Sequence, residues 1–252
     1  MIRLASGVAL AATTLVAILF LPLIALRVLA CVVAALAARE YLEITETHLR
    51  AVVLVVALCW VSAGGAFPPA HILLIMALGW TAVEVLLSGH TVQDAVTGVF
   101  AAVYIGMPLG MLVAVHAREG WPATLLLLGT VVVSDSSQYY VGRWLGRRPL
   151  APSISPKKTI EGAVAGVICG TAFMVLVGAR ALSASSVASL VGLGLFVVLM
   201  GIGGDLFESS LKRAAAVKDS SALIPGHGGV LDRIDALLFG VVPFYLYVQN
   251  IP

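Results

Sequence analysis

Long apolar runs occupy most of this 252-residue chain, and they leave few folds open to it. A helix needs about 20 apolar residues to cross the hydrocarbon core of a bilayer. Hydrophobic residues make up 60% of the chain and charged residues only 11%, which is too little polar surface to cover a water-soluble globule. The sequence therefore predicts an all-α, polytopic integral membrane protein.

The apolar runs mark about nine candidate transmembrane helices. They lie at residues 4–21, 23–38, 50–65, 70–87, 95–116, 123–141, 160–180, 186–204 and 233–249. Their connections are brief, and no linker rich in Pro, Ser or Gly separates two folding units. We therefore expect residues 1–252 to form a single transmembrane domain.

The cations are distributed unevenly between the two sides that these spans define. Twelve fall on one side and three on the other. Because cytoplasmic loops carry the excess of Lys and Arg, the larger group predicts a cytoplasmic N-terminus. The twelve are Arg3, Arg39, Arg50, Arg143, Arg147, Arg148, Lys157, Lys158, Lys212, Arg213, Lys218 and Arg233.

Three polar segments face the cytoplasm in this topology, and the first runs from Ser134 to Gly162. Asp135 lies about two turns inside a predicted span, where a carboxylate is costly and usually functional. The spacing places Asp135, Gln138 and Tyr139 on one helix face. The alternative is a structural carboxylate that is hydrogen-bonded between helices.

Two lysines in the same segment predict an anion site. Ser155 is typical of a helix N-cap and Pro156 of a first helical residue, so Lys157 and Lys158 would occupy the first turn. Cations are unfavourable at that end of the helix dipole unless an anion is bound there. The alternative is a pair of lysines that contact lipid headgroups.

The second segment runs from Gly203 to Arg213 and places acids beside a cation. The residues Asp205, Glu208, Ser209 and Lys212 follow a spacing of i, i+3, i+4 and i+7, so they would line one stripe of a helix. Such a stripe can face a polar cavity. Taken alone, it could also be an ordinary solvated helix face.

The third segment has the sequence KDSSALIPGHGGVLDRID, from Lys218 to Asp235. Its run from Pro225 to Gly229 cannot be helical throughout, and glycines let a backbone approach a ligand closely. Asp232 and Asp235 lie one turn apart at the start of the last predicted helix. The alternative is a flexible turn followed by a solvated helix cap.

Carboxylates, cations and a glycine turn occur together in these segments, and each suits one part of phosphate chemistry. Hard carboxylate oxygens without a Cys or His cluster suit Mg²⁺, which often shares phosphate oxygens. Lys and Arg suit the phosphates themselves. The combination predicts metal-assisted phosphoryl or nucleotidyl transfer at the boundary of membrane and cytosol, between a soluble nucleotide and a lipid.

The segment from Ser209 to Asp235 resembles the signature of the CDP-diacylglycerol synthase (phosphatidate cytidylyltransferase) family. It reads S-x-L-K-R, four residues, K-D, and then P-G-H-G-G-x-x-D-R-x-D. The elements S-P-K-K-T-I-E-G and G-D-L-F-E-S are similar to the family's as well, whereas Gln138 stands where the family usually has Ala. The resemblance places a catalytic half at residues 130–240 and assigns no role to the helices of residues 1–120.

The resemblance implies the synthesis of CDP-diacylglycerol and pyrophosphate from CTP and phosphatidate, in phospholipid biosynthesis. It implies Mg²⁺ as the cofactor, with room for a second cation, and Asp205 and Asp232 as the metal ligands, with Asp219 and Asp235 close by. The residues expected to be catalytic are Asp205, Asp219, Asp232, Lys212 and Arg213, and those expected to bind substrate are Lys157, Lys158, Lys218, His227, Gly228, Arg233 and Asp135.

We expect His227 to contact a phosphate rather than act as a base, because a phosphate monoester is already an anionic nucleophile. The family implies a homodimer. The composition is typical of a multi-pass protein of a bacterial plasma (inner) membrane, and the interpretation includes no nucleic-acid partner.

Two other functions stay open at this point. One is a CTP-dependent enzyme that acts on another lipid phosphate, such as an ether lipid or an isoprenoid. The other is a secondary transporter that uses Asp135, Asp205 and Glu84 as proton relays, although the polar residues gather at one face and the sequence shows no inverted repeat.

The sequence also predicts a cytoplasmic acidic face that consists of Glu40, Glu43 and Glu46, and it assigns no role to this face.

Overall fold

The computed structural model describes residues 2–65, 70–182, 185–224, 226 and 228–250. Its long helices are α1 (Ile2–Phe20), α2 (Leu23–Ile44), α3 (Val52–Ser62), α4 (Ala70–Ala82), α5 (Val92–Ala101), α6 (Met107–Leu145), α7 (Ile160–Ala181), α8 (Val187–Ala214) and α9 (Leu231–Gln249). A 3₁₀ turn (Leu49–Ala51) precedes α3, and π-helical segments follow α4 (Val83–Leu87) and α5 (Ala102–Gly106). Two short strands, β1 (Pro149–Ala151) and β2 (Ser155–Thr159), complete the described elements.

The prediction of a helical fold is confirmed, and the long apolar helices are consistent with a membrane protein. Three helical stretches of the described chain are long and apolar enough to cross a membrane, namely Val92–Leu145, Ile160–Ala181 and Val187–Ala214. Shorter apolar helices lie at Ser6–Phe20, Leu49–Ser62 and Ile72–Leu87. The number of spans and the cytoplasmic N-terminus stay predictions.

A break at Gly120 divides α6 into two helices. Gly120 has φ 74° and ψ −169°, outside the helical region, and Pro122 follows it within the same element. A positive φ suits glycine because it has no Cβ, and Pro suits the first turn of a new helix. The break falls between the predicted spans 95–116 and 123–141, so these two ranges lie on separate helices.

The chain packs as two compact units. The first comprises Met1–Arg118 and Ala215–Arg233, and the second comprises Glu119–Ala214 and Ile234–Pro252. The single-domain organisation, with a catalytic half at residues 130–240, stays a prediction. Each unit is described below by itself.

Within the second unit, α8 lies close to the part of α9 that follows residue 233. A Cβ on Gly204 would come within 2.6 Å of the Asp235 carbonyl oxygen and 2.9 Å of the Phe239 ring. No real side chain tolerates such contacts, so glycine is what lets the two helices meet here. This approach brings Asp205 and Asp235 to one end of the helix pair.

The two strands correct one prediction. β1 and β2 form an antiparallel hairpin in which Pro149 is opposite Thr159 and Ala151 is opposite Ser155. The prediction that Ser155 caps a helix whose first turn holds Lys157 and Lys158 is therefore wrong. Strand pairing gives residues 155–159 backbone partners that a local Ser-Pro pattern does not reveal.

Helix α7 begins five residues after Ser155. Thr159 is its N-cap, and the Thr159 hydroxyl accepts a hydrogen bond from the Gly162 N–H at 3.2 Å. The acid in the first turn is Glu161, whose carboxylate accepts from the Arg147 and Arg148 N–H groups at 3.0 and 3.3 Å. An anionic side chain at this end is favourable for the helix dipole, so α7 needs no bound anion to begin here.

Candidate functional site

The predicted site residues are divided between the two units. In the second unit we define the helix cluster as Asp135, Lys158, Asp205, Glu208, Lys212 and Asp235. In the first unit we define the loop cluster as Glu40, Ser220, Ser221, Gly229 and Asp232. Lys157 and Arg213 also belong to the second unit, and Lys218, Asp219, Gly228 and Arg233 belong to the first.

The helix cluster contains an ion pair between Lys158 on β2 and Asp205 on α8. The two side chains are 21% and 30% exposed, so both are partly shielded from water. The Asp235 carboxylate interacts electrostatically with Asp205, Glu208 and Asp135. The cluster thus concentrates negative charge, and the Lys158 ammonium offsets part of it.

Glu208 and Lys212 form a second ion pair of the helix cluster, one turn further along α8. Lys212 Nζ lies 2.5 Å from Glu208 Oε2, and the Glu208 side chain is only 1% exposed. The predicted stripe of Asp205, Glu208 and Lys212 does lie on one helix, because α8 continues to Ala214. Burial of Glu208 rules out the solvated-face alternative for that residue.

Asp135 lies on α6 beside the residue that departs from the family pattern. Gln138 Nε2 donates to Asp135 Oδ1 at 3.1 Å and to Ser134 Oγ at 3.2 Å. The prediction that Asp135 and Gln138 share a face is confirmed by this contact. Gln138 therefore orients the Asp135 carboxylate through a hydrogen bond that Ala could not make.

Several predicted site residues are exposed. In the second unit, Arg213 Nε donates to the Ile154 carbonyl at 3.3 Å, which ties the end of α8 to the turn between the strands. Long cationic side chains in such positions can reach soluble phosphates. The exposed residues are Asp135, Lys157 and Arg213 in the second unit and Lys218, Asp219 and Arg233 in the first.

In the loop cluster, Asp232 holds the turn that precedes it. Its Oδ2 accepts from the Ser220 N–H at 2.9 Å, the Ser220 hydroxyl at 2.9 Å and the Gly229 N–H at 2.7 Å. Gly228 has φ +78°, which suits glycine, and the described residues of this turn are not helical, as predicted. His227 lies outside the described residues.

Glu40 on α2 is a residue of the loop cluster that the sequence left without a role. Its side chain is buried, with 4% of the residue exposed. Oε1 accepts from the Ser221 hydroxyl at 2.7 Å and the Val230 N–H at 3.0 Å. Oε2 accepts from the Ser220 hydroxyl at 2.9 Å and the Leu231 N–H at 2.8 Å.

The prediction that Glu40 belongs to a cytoplasmic acidic face is therefore wrong. Glu43 and Glu46 are exposed, whereas Glu40 turns inward. Its partners are 180 to 191 positions away along the chain, so no local pattern could identify them. The one available signal was a carboxylate near the end of an apolar helix.

The donor chemistry of both clusters fits Mg²⁺. Asp135, Asp205 and Asp235 supply hard carboxylate oxygens, and Asp232 supplies another in the loop cluster. Across the described residues, no three His, Cys, Asp or Glu side chains form a group that could hold a metal ion. The assignment of Asp205 and Asp232 as metal ligands stays a prediction.

Comparison with known proteins assigns almost the whole chain to one protein family. The sequence model described as the cytidylyltransferase family matches residues 1–251. This match includes both units and all residues of the two clusters.

Individual relatives agree with the family match. The chain is 35% identical over 193 residues to a phosphatidate cytidylyltransferase of Helicobacter pylori (strain J99), which covers 77% of this chain and 70% of the relative. It is 39% identical over 150 residues to a phosphatidate cytidylyltransferase of Bacillus subtilis, an alignment that covers 59% of this chain and 55% of the relative. It is 40% identical over 122 residues to the phosphatidate cytidylyltransferase of Aquifex aeolicus, an alignment that covers 48% of this chain and 45% of the relative.

Proposed function

The chain belongs to the cytidylyltransferase family, and we propose that it makes CDP-diacylglycerol and pyrophosphate from CTP and phosphatidate. One observation carries the choice of the lipid substrate. The Helicobacter pylori relative, which is named for this substrate, aligns with 77% of the chain at 35% identity. The helix cluster supports CTP as the other substrate, because its cations suit phosphates and its carboxylates suit the Mg²⁺ that accompanies a nucleoside triphosphate.

In the proposed reaction an oxygen of the phosphatidate phosphate forms a bond to the α-phosphorus of CTP. The bond from that phosphorus to the oxygen bridging to the β-phosphate breaks, and its electron pair leaves with pyrophosphate. The attacking phosphate is already anionic, so no strong base has to remove a proton. The obstacle is the repulsion between two polyanions, which positioned cations reduce.

Residues of both units have parts in this proposal. Lys158 and Lys212 would neutralise phosphate charge, and each now neutralises a carboxylate of the helix cluster. The exposed Lys157, Arg213, Lys218 and Arg233 would contact the triphosphate or the lipid headgroup. Asp205 and Asp232 would each offer a carboxylate oxygen to Mg²⁺, which when bound would offset the charge of the triphosphate.

The apolar helices support a reaction site at the membrane surface. Asp205 lies in the last third of α8, after an apolar stretch long enough to cross a bilayer. A lipid phosphate at the end of such a helix meets the aqueous phase that supplies CTP. A location at the cytoplasmic face of a bacterial inner membrane and a homodimeric state belong to the same proposal.

The test is the incorporation of radiolabelled CTP into lipid by the purified protein in detergent micelles. We expect incorporation that requires both phosphatidate and Mg²⁺, and release of pyrophosphate in equal amount. Parallel reactions with an isoprenoid phosphate and an ether-lipid phosphate distinguish the proposed substrate from the other lipid acceptors. Labelled product with an alternative acceptor and none with phosphatidate would overturn the proposal.

A further inference from the structure

Glu40 is buried, and its carboxylate binds a segment of the chain far from α2. It is 4% exposed, yet four donors of the segment 220–231 converge on its two oxygens. A buried carboxylate is costly unless such hydrogen bonds satisfy it. The four hydrogen bonds offset this cost, and they also hold the segment that leads to Asp232.

Two of the four donors are backbone groups at the start of α9. The Val230 N–H points to Glu40 Oε1 and the Leu231 N–H to Oε2. The first N–H groups of a helix have no partner within the helix, and negative charge is favourable beside them. Glu40 thus acts as an N-terminal partner of α9, supplied by a distant helix.

The geometry requires a carboxylate at position 40. Each oxygen of Glu40 faces one backbone N–H, which can only donate. A glutamine of the same shape has one oxygen and one NH₂ group. In either orientation its NH₂ group would oppose the N–H of Val230 or of Leu231.

Ser220 connects Glu40 to Asp232. Its hydroxyl oxygen lies 2.9 Å from Glu40 Oε2 and 2.9 Å from Asp232 Oδ2. A hydroxyl has one proton, so the two carboxylates compete for it. A change at Glu40 therefore changes what Ser220 offers to Asp232, a residue proposed to bind Mg²⁺.

We infer that Glu40 is a positioning residue of the proposed reaction, which sets the Asp232 carboxylate through Ser220 and the start of α9. This inference rests on the proposed function. Carboxylates that orient a metal-binding residue typically change activity by about 10- to 100-fold when they are replaced. Glu40 would do so without contacting CTP or phosphatidate.

The experiment compares Glu40→Gln, Ser220→Ala and the double variant with wild type in the lipid-incorporation assay. We expect Glu40→Gln to lower kcat by about 10- to 100-fold, with the KM for CTP within about twofold of wild type. We expect the double variant to be no slower than the slower single variant, because both changes break one connection to Asp232. The matched control is Glu43→Gln, one turn along α2, where the exposed side chain pairs with Arg39.

The thermal unfolding midpoint separates positioning from a purely structural role. A structural role would lower the midpoint and leave kcat per folded molecule unchanged. Wild-type kcat in Glu40→Gln, or losses in the two single variants that multiply in the double variant, would overturn the inference. If Glu40→Gln does not fold, Ser220→Ala decides, and a wild-type kcat there overturns it. An inactive wild type would instead overturn the proposed function.

Discussion

The Lys158 ammonium is in contact with the Asp205 carboxylate, and this ion pair joins strand β2 to helix α8 in the second unit. The two side chains are 21% and 30% exposed, so neither charge is fully hydrated. Removing one partner of such a pair leaves the other charge uncompensated, whereas removing both does not. The pair therefore allows stability and catalysis to be tested separately.

We expect Lys158→Met to lower the stability of the protein by about 1–3 kcal/mol, because Asp205 then stands among carboxylates without its cation. Lys158→Met combined with Asp205→Asn is expected to recover most of this stability but no CTP turnover. Thermal unfolding in detergent micelles and the lipid-incorporation assay measure the two properties. Turnover by the double variant at the wild-type rate would exclude both residues from the reaction.

The substitution Asp232→Asn removes the negative charge of this side chain and keeps its shape. An asparagine oxygen can still accept from Ser220 and Gly229, so the turn and the unfolding midpoint should be retained. The loss of negative charge is expected to lower kcat by about 100-fold or more. The measurement is kcat at saturating CTP and phosphatidate over a range of Mg²⁺ concentrations. A rate near that of wild type would contradict the role proposed for Asp232.

Two adjacent glycines of α8 offer a matched pair. A Cβ on Gly204 would meet the Asp235 carbonyl oxygen at 2.6 Å, whereas a Cβ on Gly203 would meet no atom within 4 Å. Gly204→Ala should cost about 1–3 kcal/mol of stability, because the two helices must separate. Gly203→Ala should be neutral or slightly stabilising, since alanine favours helix. Equal unfolding midpoints for the two variants would show that α8 and α9 do not approach each other here.

The start of α7 can be checked by exchanging its cap. Thr159→Ala removes the hydroxyl that accepts from Gly162, and we expect a loss of about 1 kcal/mol. Ser155→Ala should have a smaller effect, because Ser155 lies in β2 and is no helix cap. The readout is again the unfolding midpoint. A larger loss for Ser155→Ala would restore the helix start that the sequence alone predicts.

The helical framework could be predicted because its cause is local. The length of an apolar run decides whether a helix can cross a bilayer, so α1 and α7 begin and end within a few residues of the predicted limits. Helical spacing likewise placed Asp205 and Lys212 on one helix. The position of Asp232 in the first turn of α9 follows from the glycine-rich turn before it.

The remaining features depend on contacts between distant segments. Residues 155–159 carry a pattern typical of a helix start, yet pairing with Pro149–Ala151 makes them a strand. Burial of Glu208 depends on the packing around α8, and its spacing to Lys212 did not reveal it. The spacing of nearby residues predicts neither the packing of distant segments nor the pairing of strands.

The hydrogen bond from Leu231 to Glu40 spans 191 positions. Amino-terminal segments are made first, so α2 is synthesised before the glycine-rich turn. A truncated protein that starts after α2 would lack the carboxylate that holds the turn before Asp232. Helix α2 therefore contributes to the shape of that turn, and a membrane anchor without a carboxylate at position 40 could not replace it.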